Sequence, residues 1–323
     1  MYLVTGAAGF IGFHLSLFLL RKQKSVIGID NINNYYSKKI KFDRLKILKK
    51  YPKFKFYKVD LKNRKSFAKN INKYKNKIDI IIHLAGQAGV RYSIINPITY
   101  IENNIISYIN LLEFFKKDSN LKLIIYASSS SIYGEHGSKK SISSQTQNDP
   151  ISIYSTSKLT MELISKVYNH LYKINFIGIR FFSVYGPWGR PDMFYLKFLR
   201  NIKLNKKIDI FNYGKHYRSF TYIDDVILNL VKIINKFGKK NTSICDVFNI
   251  GNPTSIHLKN LINIIEKKIG IKAKKRFIKK QPGDLTLTKS LITRERKIFG
   301  HQIKTNLNNG IDKLINWYNN YYK

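Results

Sequence analysis

Three features of the sequence predict an α/β fold with a doubly wound parallel sheet and a smaller C-terminal domain. Short apolar segments alternate with longer segments of helical periodicity through residues 1–182. Such alternation is typical of parallel strands with helices on both faces. A turn with three glycines directly follows the first apolar segment, as in Rossmann-like sheets that bind dinucleotides. Beyond residue 182 the alternation is lost, and loops rich in glycine and proline begin.

The strands and helices follow from apolar runs and from periodicity. We predict strands at residues 1–5, 25–29, 54–59, 78–84, 121–127, 176–182 and 247–250. We predict helices at residues 11–22, 98–116, 159–172, 258–269 and 309–322. These elements indicate a dinucleotide-binding domain at residues 1–182 and a substrate-binding domain at residues 183–323, with residues 217–250 returning to the first. Ligands of such sheets bind beyond the carboxyl ends of the strands.

The glycine turn and the following acid predict the cofactor. Gly6, Gly9 and Gly12 are spaced by three residues between a strand and a helix, so backbone N–H groups and the helix N-terminus can meet a pyrophosphate. Asp30 ends the second strand, 24 residues after Gly6, where a carboxylate accepts the adenosine ribose hydroxyls. A carboxylate there repels a 2′-phosphate, and residues 31–34 contain no arginine. The sequence therefore predicts NAD rather than NADP.

Tyr154 and Lys158 form the candidate acid/base pair. They lie four residues apart and would share one helical face. A phenol has an ordinary pKa near ~10, and a neighbouring ammonium or pyridinium favours the phenolate. Such a pair can remove a proton from an alcohol at neutral pH. The alternative is a solvated helix face without chemistry.

The net charge of +39 has two interpretations. One is binding to nucleic acid or to a membrane surface. The other is a generally basic surface, which we favour because the lysines are dispersed. Lysine doublets occur along the whole chain, at residues 38–39, 116–117, 139–140, 206–207, 239–240 and 279–280. We therefore expect no nucleic-acid partner.

Other features favour a cytoplasmic protein without a metal. Cys245 is the single cysteine, which fits a reducing compartment. The apolar run at residues 78–85 is too short to cross a bilayer, and residues 1–4 already resemble a strand rather than a signal peptide. There is no His-x-x-x-His pattern and no cysteine pair, so no metal is expected. His83 is predicted to be a core residue, and Asp224 and Asp225 to cap a helix.

Several longer motifs carry a family resemblance. Beside the glycine turn and Asp30, they include Tyr35 and Tyr36 and the segments at residues 85–93, 126–134, 180–193 and 218–225. On these motifs the sequence resembles the extended short-chain dehydrogenase/reductases, and among them the UDP-sugar 4-epimerases. The similarity is greatest to the UDP-glucuronate 4-epimerases, with residues 186–193 as the most discriminating part. It covers nearly the whole chain.

The resemblance implies roles for individual residues. It implies contacts with NAD for Gly6, Gly9, Phe10, Ile11, Gly12, Asp30, Asn31, Asp60, Leu61, Ala85, Gly86, Tyr154 and Lys158. It implies catalysis by Ser129, Tyr154 and Lys158, with Lys158 lowering the Tyr154 pKa. It implies substrate contacts for Ser130, Ser183, Arg190 and Arg218. It also implies a homodimer through the helices near residues 98–116 and 154–172.

The sequence departs from the family at three positions. Ser183 stands where the family usually has threonine, Phe194 where it has alanine, and Leu291 where an aspartate is expected after Thr288. The first departure keeps a hydroxyl group. The third makes the substrate-binding domain differ locally from its relatives.

The implied reaction is oxidation at the sugar C4 to a transient 4-keto sugar and reduction from the other face. We expect UDP-glucuronate as substrate because Arg190 beside a neutral sugar would be a costly unpaired charge. Relatives that dehydrate sugars carry a carboxylate before the tyrosine of the serine segment, and residues 128–133 contain none. Three alternatives stay open. The protein is a 4-epimerase of a neutral UDP-hexose or UDP-N-acetylhexosamine, or a dehydratase or reductase of the same family that acts on another nucleotide sugar. Otherwise it is a non-catalytic nucleotide sensor or nucleic-acid binder.

Overall fold

The computed structural model describes residues 1–138, 148–239 and 244–323. Within them the strands are β1 (Tyr2–Thr5), β2 (Val26–Asp30), β3 (Phe54–Lys58), β4 (Ile80–His83), β5 (Leu123–Ser129), β6 (Phe176–Phe181), β7 (Ser183–Tyr185), β8 (Lys207–Phe211), β9 (Tyr217–Tyr222), β10 (Cys245–Ile250), β11 (Ser255–His257) and β12 (Lys274–Ile278). The helices are α1 (Phe10–Arg21), α2 (Lys38–Leu48), α3 (Arg64–Ile71), α4 (Val90–Ile95), α5 (Pro97–Tyr100), α6 (Ser107–Phe115), α7 (Ile153–Tyr172), α8 (Phe194–Lys203), α9 (Ile223–Phe237), α10 (Leu258–Ile269), α11 (Thr293–Phe299) and α12 (Leu307–Tyr321).

A parallel sheet of seven strands forms the centre of the molecule, in the order β10-β6-β5-β4-β1-β2-β3. All of its neighbouring strands are parallel. The order reverses between β1 and β4, so a crevice opens at the carboxyl ends of these two strands. The predicted fold class is confirmed, and each predicted strand is present with its ends displaced by no more than two residues.

Apolar side chains cover both faces of this sheet, because parallel strands linked by crossover helices are buried on both sides. All five residues of β2 are buried. On one face the core contains Phe13 of α1 and Val226 of α9, and on the other it contains Leu111 of α6 and Met161 of α7. The two faces form separate apolar clusters, as a doubly wound sheet requires.

The remaining strands form two small sheets. One has the order β11-β9-β7, and the other pairs β12 with β8. Within residues 217–250, α9 packs on α1 and β10 joins the large sheet beside β6, whereas β9 belongs to the three-stranded sheet. None of the helices in the described ranges is long and apolar enough to cross a membrane.

The predicted helix cap at Asp224 and Asp225 is wrong. Helix α9 begins at Ile223 with Tyr222 at the N-cap, and both acids lie in its first turn. The buried Asp225 carboxylate instead accepts hydrogen bonds from the backbone N–H groups of Lys304 and Thr305, both at 3.1 Å. It therefore joins α9 to the segment before α12.

Candidate active site

A cavity of about 790 Å³ lies at the carboxyl ends of the large sheet and extends to the small sheets. Every site residue predicted from the sequence lines it. These residues are Gly6, Gly9, Phe10, Ile11, Gly12, Asp30, Asn31, Asp60, Leu61, Ala85, Gly86, Ser129, Ser130, Tyr154, Lys158, Ser183, Arg190 and Arg218. The topology thus brings together side chains that lie more than 200 positions apart in the chain.

The glycine turn brings backbone to the wall of this cavity. Gly6 has φ +69°, and a Cβ there would lie 2.8 Å from the Ala85 nitrogen. A Cβ on Gly12 would lie 2.1 Å from the Gly6 carbonyl oxygen. Side chains at these two positions are therefore excluded. The first turn of α1 carries no acidic residue, so its positive end is available to an anion.

Asp30 is held against the glycine turn. Its Oδ1 accepts a hydrogen bond from the Ile32 N–H at 2.8 Å, and its Oδ2 accepts one from the Ala8 N–H at 3.2 Å. Burial raises the pKa of Asp30, opposed by the Lys41 charge and by these two bonds. Lys41 donates to the Asn33 carbonyl and side-chain oxygens, at 2.9 and 2.7 Å. Its ammonium therefore already has acceptors within the protein.

Helix α7 places Tyr154 and Lys158 on the cavity wall. It starts at Ile153, six residues before the predicted start, because Ser152 caps it and forms a capping box with Ser155. Burial raises the pKa of Tyr154, whereas hydrogen bonding from Ser129 and the charge of Arg190 lower it. Lys158 is not among the groups that lower this pKa. The lowering of the Tyr154 pKa by Lys158 that the resemblance implies therefore stays a prediction.

The Lys158 ammonium is buried and has no oxygen partner among the described residues. Within the part of the chain that the structure describes, its one hydrogen-bond contact is with the Met161 sulfur at 3.7 Å. Burial lowers the pKa of Lys158 to about 8. A Cβ on Gly86 would lie 3.3 Å from its Nζ, so the ammonium faces the loop that follows β4. The N–H groups of this ammonium suit the hydroxyl groups of a bound nucleotide ribose.

The four consecutive serines have different partners. Ser128 donates to Glu162, and the Ser129 hydroxyl pairs with that of Ser131 at 2.9 Å. Of the four, Ser129 is the one whose hydrogen bonding lowers the Tyr154 pKa. This arrangement supports Ser129 as the serine next to the phenol.

Arg190 is paired within the protein. Its Nε lies 3.1 Å from Asp192 Oδ1, and its Nη2 contacts Oδ2 of the same carboxylate. Its guanidinium also lies 5.7 Å from the centre of the Tyr35 ring. The expectation that Arg190 would be unpaired beside a neutral sugar is therefore wrong, because Asp192 pairs with it.

Two more arginines line the far end of the cavity. Arg218 donates to the backbone carbonyls of Leu285 and Thr286, and burial lowers its pKa to about 10. Arg91 pairs with Asp284 at 2.6 Å, and its guanidinium lies 3.7 Å from the centre of the Phe211 ring. Asp284 offsets the charge of Arg91, so Arg218, which donates to backbone carbonyls, is the cation at this end that suits a diphosphate.

Comparison with known proteins agrees with this geometry. A family model described as the NAD dependent epimerase/dehydratase family matches residues 2–251. This chain belongs to that family. Protein CapI of Staphylococcus aureus is 40% identical over 99% of both chains. UDP-glucuronate 4-epimerase 1 of Arabidopsis thaliana is 38% identical over 99% of this chain and 77% of its own.

A solved structure agrees with the assignment of this chain to the epimerase/dehydratase family. The UDP-glucuronic acid 4-epimerase of Bacillus cereus, in complex with UDP-glucuronic acid and NAD, is 32% identical and superposes with a TM-score of 0.91. The match covers 99% of both chains. The fold is therefore that of this family along the whole chain.

The structural role of Asn104 is not predicted by the sequence. The predicted helix at residues 98–116 is divided by a π-helical turn, Ile101–Ile106. Within that turn the buried Asn104 accepts from the Gln87 N–H at 2.7 Å and donates to Ser157 Oγ at 2.8 Å. It joins the loop after β4 to the helix that carries Lys158. A π-helical turn is frequent at functional sites, but no pattern in the sequence indicates this one.

The histidines and acids offer no metal site in the described ranges. No group of three or more His, Cys, Asp or Glu is placed there to hold an ion. His83 is fully buried, contacts Thr5 Oγ1 at 2.9 Å and stacks on Tyr108. It is the packed core residue that the sequence predicted.

Proposed function

We propose that this protein catalyses the NAD-dependent 4-epimerisation of a UDP-sugar, with UDP-glucuronate and UDP-galacturonate as the preferred pair. One observation carries the proposal: the Tyr154 phenol, the Ser129 hydroxyl and the buried Lys158 ammonium line one cavity. The names of the Arabidopsis and Bacillus relatives support the choice of sugar.

NAD fits the residues of the first domain. The pyrophosphate would lie against the backbone of the glycine turn, and Asp30 would accept the adenosine ribose hydroxyls. Asn31 donates to Asp60 at 3.3 Å, which holds the end of the cavity where the adenine would lie. Lys158 would donate to the other ribose. When bound, NAD supplies reversible hydride transfer at the sugar C4 and a positive ring charge that favours the phenolate.

Tyr154 would move the proton in both directions. As phenolate it accepts the proton of the C4 hydroxyl, and it returns the proton when the 4-keto sugar is reduced. The Ser129 hydroxyl would share this proton and orient the sugar O4. Because burial raises the pKa of Tyr154, the phenolate needs the positive charges of Arg190 and of the bound cofactor.

The sugar carboxylate would lie near Arg190 and Ser183, with Ser130 beside the serine segment. Arg190 would then be shared between the carboxylate and Asp192, each held by paired N–H groups. Arg218 and Arg91 would meet the diphosphate. These positions place the charged groups of UDP-glucuronate opposite cationic side chains.

A neutral UDP-hexose is the second candidate substrate. Asp192 pairs with Arg190, so a neutral sugar would leave no unpaired guanidinium in the cavity. This pair removes part of the electrostatic argument against UDP-glucose or UDP-N-acetylglucosamine.

The discriminating experiment compares two arginine variants on three substrates. We expect Arg190→Ala to lower kcat/KM for UDP-glucuronate by roughly 10²-fold, as expected when a charge-assisted contact of about 2–3 kcal/mol is lost. Its effect on UDP-glucose and UDP-N-acetylglucosamine should be clearly smaller, because these sugars lose only the influence of Arg190 on the Tyr154 pKa and no contact with a carboxylate. Arg91→Ala, which breaks another arginine–aspartate pair of the same cavity, should weaken all three substrates alike. Equal effects of Arg190→Ala on all sugars would reject the uronate assignment.

The protein is further proposed to act as a homodimer in the cytoplasm. Exposed apolar side chains lie on two neighbouring segments of the first domain, which is unusual for a monomer surface. This apolar face consists of Ile94, Ile95, Ile98, Ile106, Leu163, Val167 and Leu171. The α7 members recur every fourth residue and form one stripe. A second copy of this chain, docked on the same stripe, would cover it symmetrically.

A further inference from the structure

A buried ion pair lies beneath the serine segment. Arg180 of β6 donates through Nε and Nη2 to the two oxygens of Glu162, at 2.9 and 2.7 Å. Glu162 lies on α7, two turns after Tyr154. The two side chains are 2% and 5% exposed. This pair is therefore part of the interior on which the catalytic helix rests.

The same pair contacts the serine segment on both sides of Ser129. Before it, the Ser128 hydroxyl donates to Glu162 Oε1. After it, the ring of Tyr133 lies 4.6 Å from the Arg180 guanidinium, and the Tyr133 hydroxyl donates to Asn249 at 2.8 Å. Residues 128 and 133 thus have fixed partners, with Ser129 between them.

Stabilisation of the fold does not by itself require a charged pair at this place. A buried ion pair costs desolvation, and apolar side chains of similar volume often stabilise a protein as well or better. A charged pair does, however, fix geometry, because charge-assisted hydrogen bonds are short and directional. The third hydrogen bond to Glu162 is donated by Ser128, the neighbour of Ser129. The ion pair therefore fixes the position of the serine segment at the active site.

We propose that Ser128, held by Glu162 and Arg180, is a positioning residue that aims the Ser129 hydroxyl at Tyr154. Ser128 also lines the cavity, but its hydroxyl is engaged by Glu162, so it would act through the backbone from which Ser129 projects. The inference rests on the proposed roles of Ser129 and Tyr154. Since hydrogen bonding from Ser129 lowers the Tyr154 pKa, loss of its alignment should make the phenol harder to ionise.

The test is Ser128→Ala, which removes one hydroxyl and leaves the ion pair in place. We expect kcat to fall roughly tenfold, less than the ~10²-fold that a 1 Å misplacement costs, with KM little changed. The active form carries a phenolate, so activity is lost as the pH falls below the Tyr154 pKa. A raised pKa should therefore move this acidic limb of the pH–rate profile to higher pH.

The matched control is Ser165→Ala on the same helix. Ser165 is fully buried, and its hydroxyl contacts the Tyr108 hydroxyl and the Met161 carbonyl oxygen, both at 2.7 Å. Both variants lose a buried hydroxyl, so both should lower the Tm. Only Ser128→Ala should change kcat and the pH profile. If the two variants behave alike, the positioning role is wrong.

A double variant separates this inference from the proposed function. If Ser128 acts through Ser129, adding Ser128→Ala to Ser129→Ala should not lower kcat further, because the two changes act on one interaction. Multiplicative losses would contradict the inference. If Ser129→Ala alone leaves kcat and the pH profile unchanged, the proposed role of Ser129 fails first.

Discussion

The Tyr154 phenol lies among groups with opposing effects on its ionisation. Burial raises its pKa, and Ser129 and Arg190 lower it. Lys158, which the sequence suggested as the activating charge, is itself buried with a pKa lowered to about 8. Activation of the phenol is expected to depend on Arg190 and on the positive charge of bound NAD, so cofactor binding and acid/base function are coupled at this residue.

The corresponding residue-scale prediction is that Tyr154→Phe nearly abolishes turnover and spares cofactor binding. Removing proton transfer typically costs ~10²–10⁴-fold, whereas the ring contact with Tyr100 is kept. The control is Tyr92→Phe, another phenol of the cavity wall, which should stay close to the wild type. Steady-state kinetics and quantification of retained NAD test this. A near-normal kcat for Tyr154→Phe would refute the mechanism.

At the scale of elements, the sequence predicts the large sheet well because its strands are apolar runs that end in glycines, serines or acids. It predicts α10 at the observed bounds, Leu258–Ile269, because five apolar residues form a core-facing stripe. Helix α2 was missed because its buried face includes Lys41 and Arg44. These cations donate to backbone oxygens of Asn33 and Ala8, so the apolar periodicity is weak.

The residues that line the cavity can be predicted from the sequence more completely than the residues that hydrogen-bond to them. Glycines, Asp30 and Tyr154 lie in short motifs whose spacing has a physical meaning. Three partners within the protein become apparent only in the folded chain. Asp192 pairs with Arg190 across 2 positions, Glu162 with Arg180 across 18, and Asn104 with Gln87 across 17. For Asp192 the distance is short, but nothing in the sequence indicates whether its carboxylate turns towards Arg190 or away.

The element-scale prediction concerns the apolar face on α7. Leu163→Glu should convert the proposed dimer to a monomer, because a charge in the centre of an apolar contact is buried without a partner. Leu204→Glu is the control, since Leu204 is 52% exposed and Leu163 is 54% exposed, but Leu204 lies outside that face. Light scattering coupled to gel filtration measures the mass. A wild-type monomer, or an unchanged mass for Leu163→Glu, would contradict the proposed dimer.

At the scale of the whole molecule, the lysines that give the charge of +39 are dispersed along the entire chain. Arginines with defined partners line the cavity, whereas ion pairs such as Lys39 with Asp43 and Lys280 with Glu135 are exposed and contribute little to stability. A dispersed positive field attracts anions in general, including a UDP-sugar, and does not by itself select a sequence of bases.

Nucleic-acid binding is accordingly expected to be weak and independent of sequence. Binding that arises from phosphate neutralisation falls steeply with salt. Fluorescence anisotropy with unrelated DNA and RNA oligonucleotides, from low to physiological salt, measures it. Tight binding to one sequence that persists at physiological salt would overturn the interpretation of the charge as a general surface property.

The proposed inversion of UDP-glucuronate at C4, with NAD that the protein retains, is tested most directly by NMR. The protein as purified, with no cofactor added, is incubated with UDP-glucuronate and the products are identified. We predict that UDP-galacturonate accumulates to equilibrium without a net change in NAD, because each turnover restores the cofactor. Formation of a UDP-pentose with release of CO₂, or no C4 epimer even after NAD is added, would contradict the claim.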